Sequence, residues 1–180
     1  MVIDQLDVDN EESIKQYIAK VKDSVNTLIN NAGIMLNDRV TNTTKEDLVK
    51  TFEINTVAPL LLTQHFYNNQ LFEKGALVVN ISSILGSIDW TNSWSVENMS
   101  ASYFISKAAL NMVSKIQSLA LKDVNVIPIH PGWLKTDLGG QSAPLDVATG
   151  VAGIINVIEK FDPKTQNGAF WQFDGESLKW

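Results

Sequence analysis

Apolar residues follow two rhythms along this chain, and the two alternate. Short runs at 25–29, 76–81 and 124–129 read as strands; the second, Ala-Leu-Val-Val-Asn-Ile, is nearly continuous, as a strand buried on both faces should be. Between such runs apolar positions return every three or four residues, the period of a helix buried along one side. Ile14, Tyr17, Ile18 and Val21 mark the first stripe, with Asp9 and Glu12 as its predicted capping box. Leu48, Phe52 and Leu60 to Leu62 mark a longer one, opened by Thr43 with Glu46 and kinked at Pro59. Residues 100–121 and most of 144–160 are predicted helices, and 2–8 and 169–173 are predicted strands near the two ends. This alternation predicts an α/β fold: a doubly wound parallel sheet with helices on both faces, in one domain over 1–180.

Composition narrows the function classes. The 180 residues are 44% hydrophobic and 19% charged, as in a soluble globular protein. A net charge of −6 without a basic cluster argues against a nucleic acid or an anionic membrane as partner. There is no cysteine, which removes disulfides and thiolate chemistry. His65 and His130 lack metal-ligand spacing and read as structural histidines, so no metal site is expected. The acidic start does not resemble a signal peptide, and no apolar run reaches membrane-spanning length. The cytoplasm is the expected compartment.

The candidate chemistry begins at Tyr103 and Lys107, one helical turn apart on the same face. A free phenol ionises at a pKa of about 10, and a neighbouring ammonium favours the phenolate, so the pair suits general acid/base work. An amphipathic helix carries such a pair by chance as well. What raises it is the company at the predicted strand ends, where ligands bind in sheets of this kind. Asn30-Asn31-Ala32-Gly33 follows one strand, Asn80-Ile81-Ser82-Ser83-Ile84-Leu85-Gly86 the next, and His130-Pro131-Gly132-Trp133-Leu134-Lys135-Thr136-Asp137 the third.

This ordered set resembles the short-chain dehydrogenase/reductase family over essentially the whole chain, with a Rossmann-like fold. The 131–140 segment and the ending Phe173-Asp174-Gly175-Glu176-Ser177-Leu178-Lys179-Trp180 are most similar to its sniffer-type carbonyl reductase and C-factor-like branch. The resemblance implies an NAD(P)-dependent oxidoreductase that reduces a carbonyl or oxidises an alcohol. It implies Tyr103 as proton donor, Lys107 as the group that tunes it and bonds the nicotinamide ribose, and Ser83 as the group that polarises the substrate oxygen. Asn55 resembles the asparagine that anchors a water near the lysine; a polar residue bending the helix before Pro59 is the other reading. On the cofactor side it implies Asp7 facing the adenine and Asn31, Ala32 and Gly33 at the adenosine ribose. Pro131, Gly132, Leu134 and Thr136 would meet the nicotinamide carboxamide. An isolated surface aspartate and plain turns read equally well from these residues alone. The cofactor implied is NADP or NAD, with NADP preferred, and the substrate is a small carbonyl or alcohol. Trp90, Trp94, Met99 and Trp133 read as pocket wall or as core, and 141–144 as part of a mobile flap. A homo-oligomer is a family expectation.

The family's phosphate-binding Gly-x-x-x-Gly-x-Gly turn does not occur in the sequence; Gly150 and Gly153 fall in a predicted helix and read as packing glycines. The chain therefore resembles a family member that begins at the third strand and lacks the first βαβα portion. Residues 2–8 are then left without a neighbour, and 25–29 forms an exposed apolar edge, so the chain alone is expected to be unstable or to associate. The competing reading is a catalytically inactive truncated paralogue that acts by associating with a full-length partner. An epimerase or dehydratase relative shares Tyr-x-x-x-Lys but fits the 30–33 turn less well.

Overall fold

The computed structural model describes residues 3–92 and 96–180. In chain order it contains α1 (Glu11–Lys20), β1 (Val25–Asn30), α2 (Lys45–Phe52), a π-helical turn (Glu53–Val57) and α3 (Ala58–Asn68). β2 (Phe72–Ile81), a 3-10 turn (Ile84–Gly86), α4 (Ile88–Thr91), a second 3-10 turn (Val96–Asn98) and α5 (Ala101–Ala120) follow. β3 (Val124–His130), α6 (Val147–Glu159), α7 (Pro163–Gln166), β4 (Phe170–Gln172) and β5 (Ser177–Leu178) complete the order.

The five strands form one sheet in sequential order. β1 to β4 run parallel, and β5 returns antiparallel. This is the Rossmann-like α/β architecture predicted from the alternation. Asn30 pairs with Asn80 and Asn80 with Pro128, so the carboxyl ends of the three long strands lie level. The distinctive turns therefore emerge side by side.

Alternation along the strands divides the core. Leu77, Val79, Ile127 and Ile129 face α6 and pack with Val157. Val78, Val124 and Val126 face the other way, with Leu28, Tyr67 and Leu121 against them. Ile14 and Ile18 of α1 meet Leu62 and Phe66 of α3 in an adjoining cluster. Helices thus cover both faces. Gly150 and Gly153 are packing glycines, as expected. A β-carbon on Gly150 would stand 3.0 Å from the Pro131 carbonyl oxygen, and one on Gly153 would stand 2.5 Å from that of Phe173.

The structure departs from expectation at several ends. No strand forms over the described part of 2–8; residues 3–7 are irregular and 8–9 turn, and Val2 lies outside the described residues. A strand needs a partner for its backbone groups, and no described strand lies beside this one. The cap of α1 is Asn10, whose Oδ1 accepts from the amides of Glu12 and Ser13 at 2.9 and 3.2 Å, rather than Asp9. The capping box of α2 is Thr44 with Asp47, one residue beyond Thr43 and Glu46. At Pro59, where a kink is predicted, the helix is irregular but continuous. Pro59 lacks the N–H that would reach the Asn55 carbonyl, and the chain widens there into the π-helical turn and continues. The helix predicted over 144–160 starts at Val147, capped by Asp146. β1 is the sheet edge, paired on one side only, with Ile29 47% exposed. Among the described residues no helix is long and apolar enough to cross a membrane.

Candidate active site

α5 buries an unusual face. Ser102, Tyr103, Ser106, Lys107, Asn111, Ser114 and Gln117 recur at helical spacing and are all buried. Buried polar groups need partners, and this face finds them on several elements. Thr51 of α2 donates to Ser102 Oγ at 3.2 Å, Asn55 to Ser106 Oγ at 3.0 Å, and Asn80 to Ser114 Oγ at 2.8 Å. Ser82 donates to Asn111 Oδ1 at 2.6 Å. The helix is thereby bonded to α2, the π-helical turn and the carboxyl end of β2.

These bonds bring four predicted residues together. Ser83 caps the 3-10 turn that follows β2, is 6% exposed, and its hydroxyl faces the Tyr103 phenol, itself 7% exposed. Lys107 is 3% exposed; its Nζ lies 5.6 Å from the Tyr103 ring centroid and donates to the Ile81 carbonyl at 2.7 Å. Asn55 sits in the π-helical turn. Its Oδ1 accepts from the Ile34 amide and its Nδ2 donates to the Ile34 carbonyl, both at 2.8 Å. A β-carbon on Gly33 would stand 3.3 Å from Asn55 Oδ1 and 3.5 Å from Lys107 Nζ, so the 30–33 turn comes close to both the asparagine and the lysine.

The electrostatics differ from the simple pairing expected from spacing. Burial pushes the Lys107 ammonium down to about 8. Burial also raises the Tyr103 phenol above its ordinary value, with the Ser83 hydroxyl working against it. The lowering by Lys107 expected from spacing is not what burial gives: desolvation of the phenol dominates, and the Lys107 ammonium is engaged by the Ile81 carbonyl.

The remaining predicted residues fall into two groups. Beyond the carboxyl end of β1 lies a cavity of about 170 Å³, lined by Leu6, Val8, Asn31, Ala32, Ile54 and Pro59 among others. Asp7 stands between two of those residues but is exposed, accepting from the Asp9 amide at 3.1 Å. Pro131, Gly132, Leu134 and Thr136 follow β3 in a self-bonded loop. Gly132 has φ +85°, Leu134 bridges to Leu145, and Thr136 Oγ1 accepts from the Gly139 amide at 3.0 Å. Trp133 is half exposed and donates Nε1–H to the Gly139 carbonyl at 2.7 Å. Within 141–144, Ala143 is buried at 2% exposure. Trp90 lies in α4 and Met99 just before the cap of α5, while Trp94 lies outside the described residues.

Sequence reasoning missed Asp38, Ser100 and Ser102, which bond around the start of α5. The only advance sign was the serine that caps the predicted helix.

A Rossmann-like parallel sheet carrying a buried tyrosine and lysine beside a serine at its strand ends defines the class. The short chain dehydrogenase family model matches residues 1–145, and the chain belongs to that family. Membership makes it, by resemblance, an NAD(P)-dependent dehydrogenase or reductase. The chain is 32% identical over 161 residues to the C-signal of Myxococcus xanthus, covering 87% of this chain and 93% of that one. It superposes on the NADPH-bound carbonyl reductase from chicken fatty liver with a TM-score of 0.92 at 35% identity, over 99% of this chain and 77% of that one. For the carbonyl reductase Sniffer of D. melanogaster the TM-score is 0.85 at 34% identity, over 98% and 77%.

Proposed function

We propose that the chain reduces a small carbonyl compound with a nicotinamide dinucleotide, NADP ahead of NAD, and that Tyr103 supplies the proton. The observation that carries this reading is the buried phenol of Tyr103 facing Ser83 with Lys107 one turn away. The phenol is protonated at neutral pH and so has a proton to give, but burial makes it a weaker acid, and a neighbouring positive charge is needed to ease the proton's departure. The Ser83 hydroxyl is placed to hydrogen-bond that same oxygen as negative charge develops on it. The Lys107 ammonium, fixed by the Ile81 carbonyl, holds positive charge beside the phenol while its proton leaves.

The residues fit part of the dinucleotide. The cavity at Leu6, Val8, Asn31, Ala32 and Ile54 suits a flat base, and the missing side chain at Gly33 keeps the approach to Lys107 Nζ open. No glycine-rich phosphate turn occurs among the 180 residues to complete the cradle. When bound, the reduced nicotinamide supplies the hydride. NADP takes precedence because the similar carbonyl reductase from chicken fatty liver is NADPH-bound.

The test is loss of nicotinamide absorbance with a panel of aldehydes and ketones, run beside Tyr103→Phe. Substitution should abolish turnover; activity that survives it refutes the role of Tyr103. A second reading, a non-catalytic chain that associates with a full-length partner, is favoured by the unpaired β1 edge with its exposed Ile29. Turnover by the isolated chain decides against it.

A further inference from the structure

Among the described residues Asp38 is the only buried acid, 4% exposed, and it has no lysine or arginine partner. Burying a carboxylate costs several kcal/mol unless hydrogen bonds compensate, so its position needs a reason. It stands on the loop between β1 and α2; three hydrogen bonds reach it from the start of α5, and the Thr43 hydroxyl of its own loop acts on it as well. Ser100 Oγ donates to Oδ1 at 2.6 Å, Ser102 Oγ to Oδ1 at 2.9 Å, and the Ser102 amide to Oδ2 at 2.9 Å. Burial alone would raise this carboxyl; the Ser100 hydroxyl, the Ser102 amide and the Thr43 and Ser102 hydroxyls overrule it and hold the group at about 2.

The bonds form a chain that ends on the candidate proton donor. Ser100 is the N-cap of α5, and its Oγ accepts from the Tyr103 amide at 3.3 Å while donating to Asp38. Ser102 Oγ likewise accepts from Thr51 while donating to Asp38. The first amides of a helix have no partner within the helix, and here the carboxylate takes one directly and a second through a serine. The same loop is pinned upstream, where Ile34 bonds Asn55. Tyr103 belongs to this first turn, whereas Lys107 is anchored separately on Ile81.

We infer that Asp38 is a positioning residue: its carboxylate clamps the first turn of α5 and so fixes Tyr103 against Ser83. This rests on Tyr103 as proton donor, but the test is independent of turnover. Amide hydrogen exchange is followed residue by residue in Asp38→Ala, Asp38→Asn and Ser100→Ala, with the core variant Val126→Ala as a control for general loss of stability. In Asp38→Ala the amides of Ser102, Tyr103 and Phe104 should exchange about ten-fold or more faster, while those from Leu110 onward stay near wild type. Asp38→Asn keeps one acceptor and should fall between. The Tyr103 phenol, followed by ¹³Cζ NMR, should titrate lower in Asp38→Ala as the loosened turn admits water, and should not move in Val126→Ala. The groups facing that phenol are Ser83 and Lys107, both retained in every variant.

Uniform acceleration along α5, or unchanged exchange at Ser102 and Tyr103, overturns the inference. If Asp38→Ala does not fold, Ser100→Ala must show the same local pattern, and uniform exchange there is equally fatal. Failure of the underlying reading is separately visible, as turnover that survives Tyr103→Phe.

Discussion

Gly86 offers a sharp test of how the site is assembled. It closes the 3-10 turn after Ser83, donating its amide to the Ser83 carbonyl at 2.9 Å. A β-carbon built there would lie 2.6 Å from the Lys107 carbonyl carbon and 2.8 Å from both the Ala108 nitrogen and the Lys107 oxygen. All three are backbone atoms inside a long helix, so no side chain can swing away. Restoring the 3.4 Å at which ordinary contact begins requires the turn and the helix to part by about 0.8 Å. Gly86→Ala should therefore cost about 1–3 kcal/mol as an overpacked contact, which for a domain of this size lowers Tm by about 2–12 °C. The separation falls between Ser83 and the Tyr103–Lys107 turn, and a misplacement near 1 Å lowers kcat by about 100-fold. Thermal melts together with steady-state carbonyl reduction measure both effects. Gly75→Ala is the contrast: φ is +83° there and nothing lies within 4 Å, so only backbone strain of about 1–2 kcal/mol is expected, with kcat unchanged. A Gly86→Ala protein with wild-type Tm and wild-type kcat would refute the close approach.

Two pH responses follow from buried groups. The Asp38 carboxyl is depressed from 3.8 to about 2 in the fold, so its stabilisation is complete above the ordinary value and is lost as pH falls through about 2. The gap in urea stability between wild type and Asp38→Asn should thus narrow between about pH 4 and pH 2; a constant gap contradicts it. Burial lowers His130 from 6.5 to about 4, with Asp174 pulling weakly the other way. Its Nδ1 is buried without a partner. The unfolded chain then binds the proton first, so stability should fall as pH drops from about 6.5 to about 4, and His130→Gln should flatten that slope. An identical slope in the variant would rule His130 out as its source.

What was legible in the sequence was local or repeated. The 76–81 run could only be a strand buried on both faces, and Tyr103, Lys107 and Ser83 stood in an order that placed them at neighbouring strand ends. The failures share a cause, which is dependence on distant chain. Residues 2–8 have strand composition, but pairing is decided by a neighbour and not by composition. The capping predictions missed by one residue because Asp9 and Asn10, and Thr43 and Thr44, are chemically able to play the same part. Asp38 looked like any loop aspartate, since its partners lie 62 and 64 residues away. The raised phenol of Tyr103 escaped for the same reason: spacing reveals a nearby cation, but burial emerges only when β2, the turn at Ser83 and α5 are packed together.

The polar face of α5 explains why Tyr103 and Lys107 hold one position. An apolar stripe can slide or rotate slightly against a sheet at little cost, because hydrophobic contact has no direction. Hydrogen bonds are directional, and a buried group left without one costs about 1–3 kcal/mol. Ser102, Ser106, Asn111 and Ser114 bond four different residues: Thr51 of α2, Asn55 of the π-helical turn, Ser82 just past β2 and Asn80 near its carboxyl end. A slide of one residue along the helix axis would break all four together, so an alternative register adds several such penalties to the one the native register carries at the buried Gln117 Oε1. The buried Lys107 adds a fifth constraint through Ile81. Asp38 completes the arrangement where a helix is weakest, at the first turn, and that is the turn on which Tyr103 stands. The distance from phenol to serine is therefore set by the protein's own bonds before any substrate arrives, which is the preorganisation that proton transfer to a developing alkoxide requires.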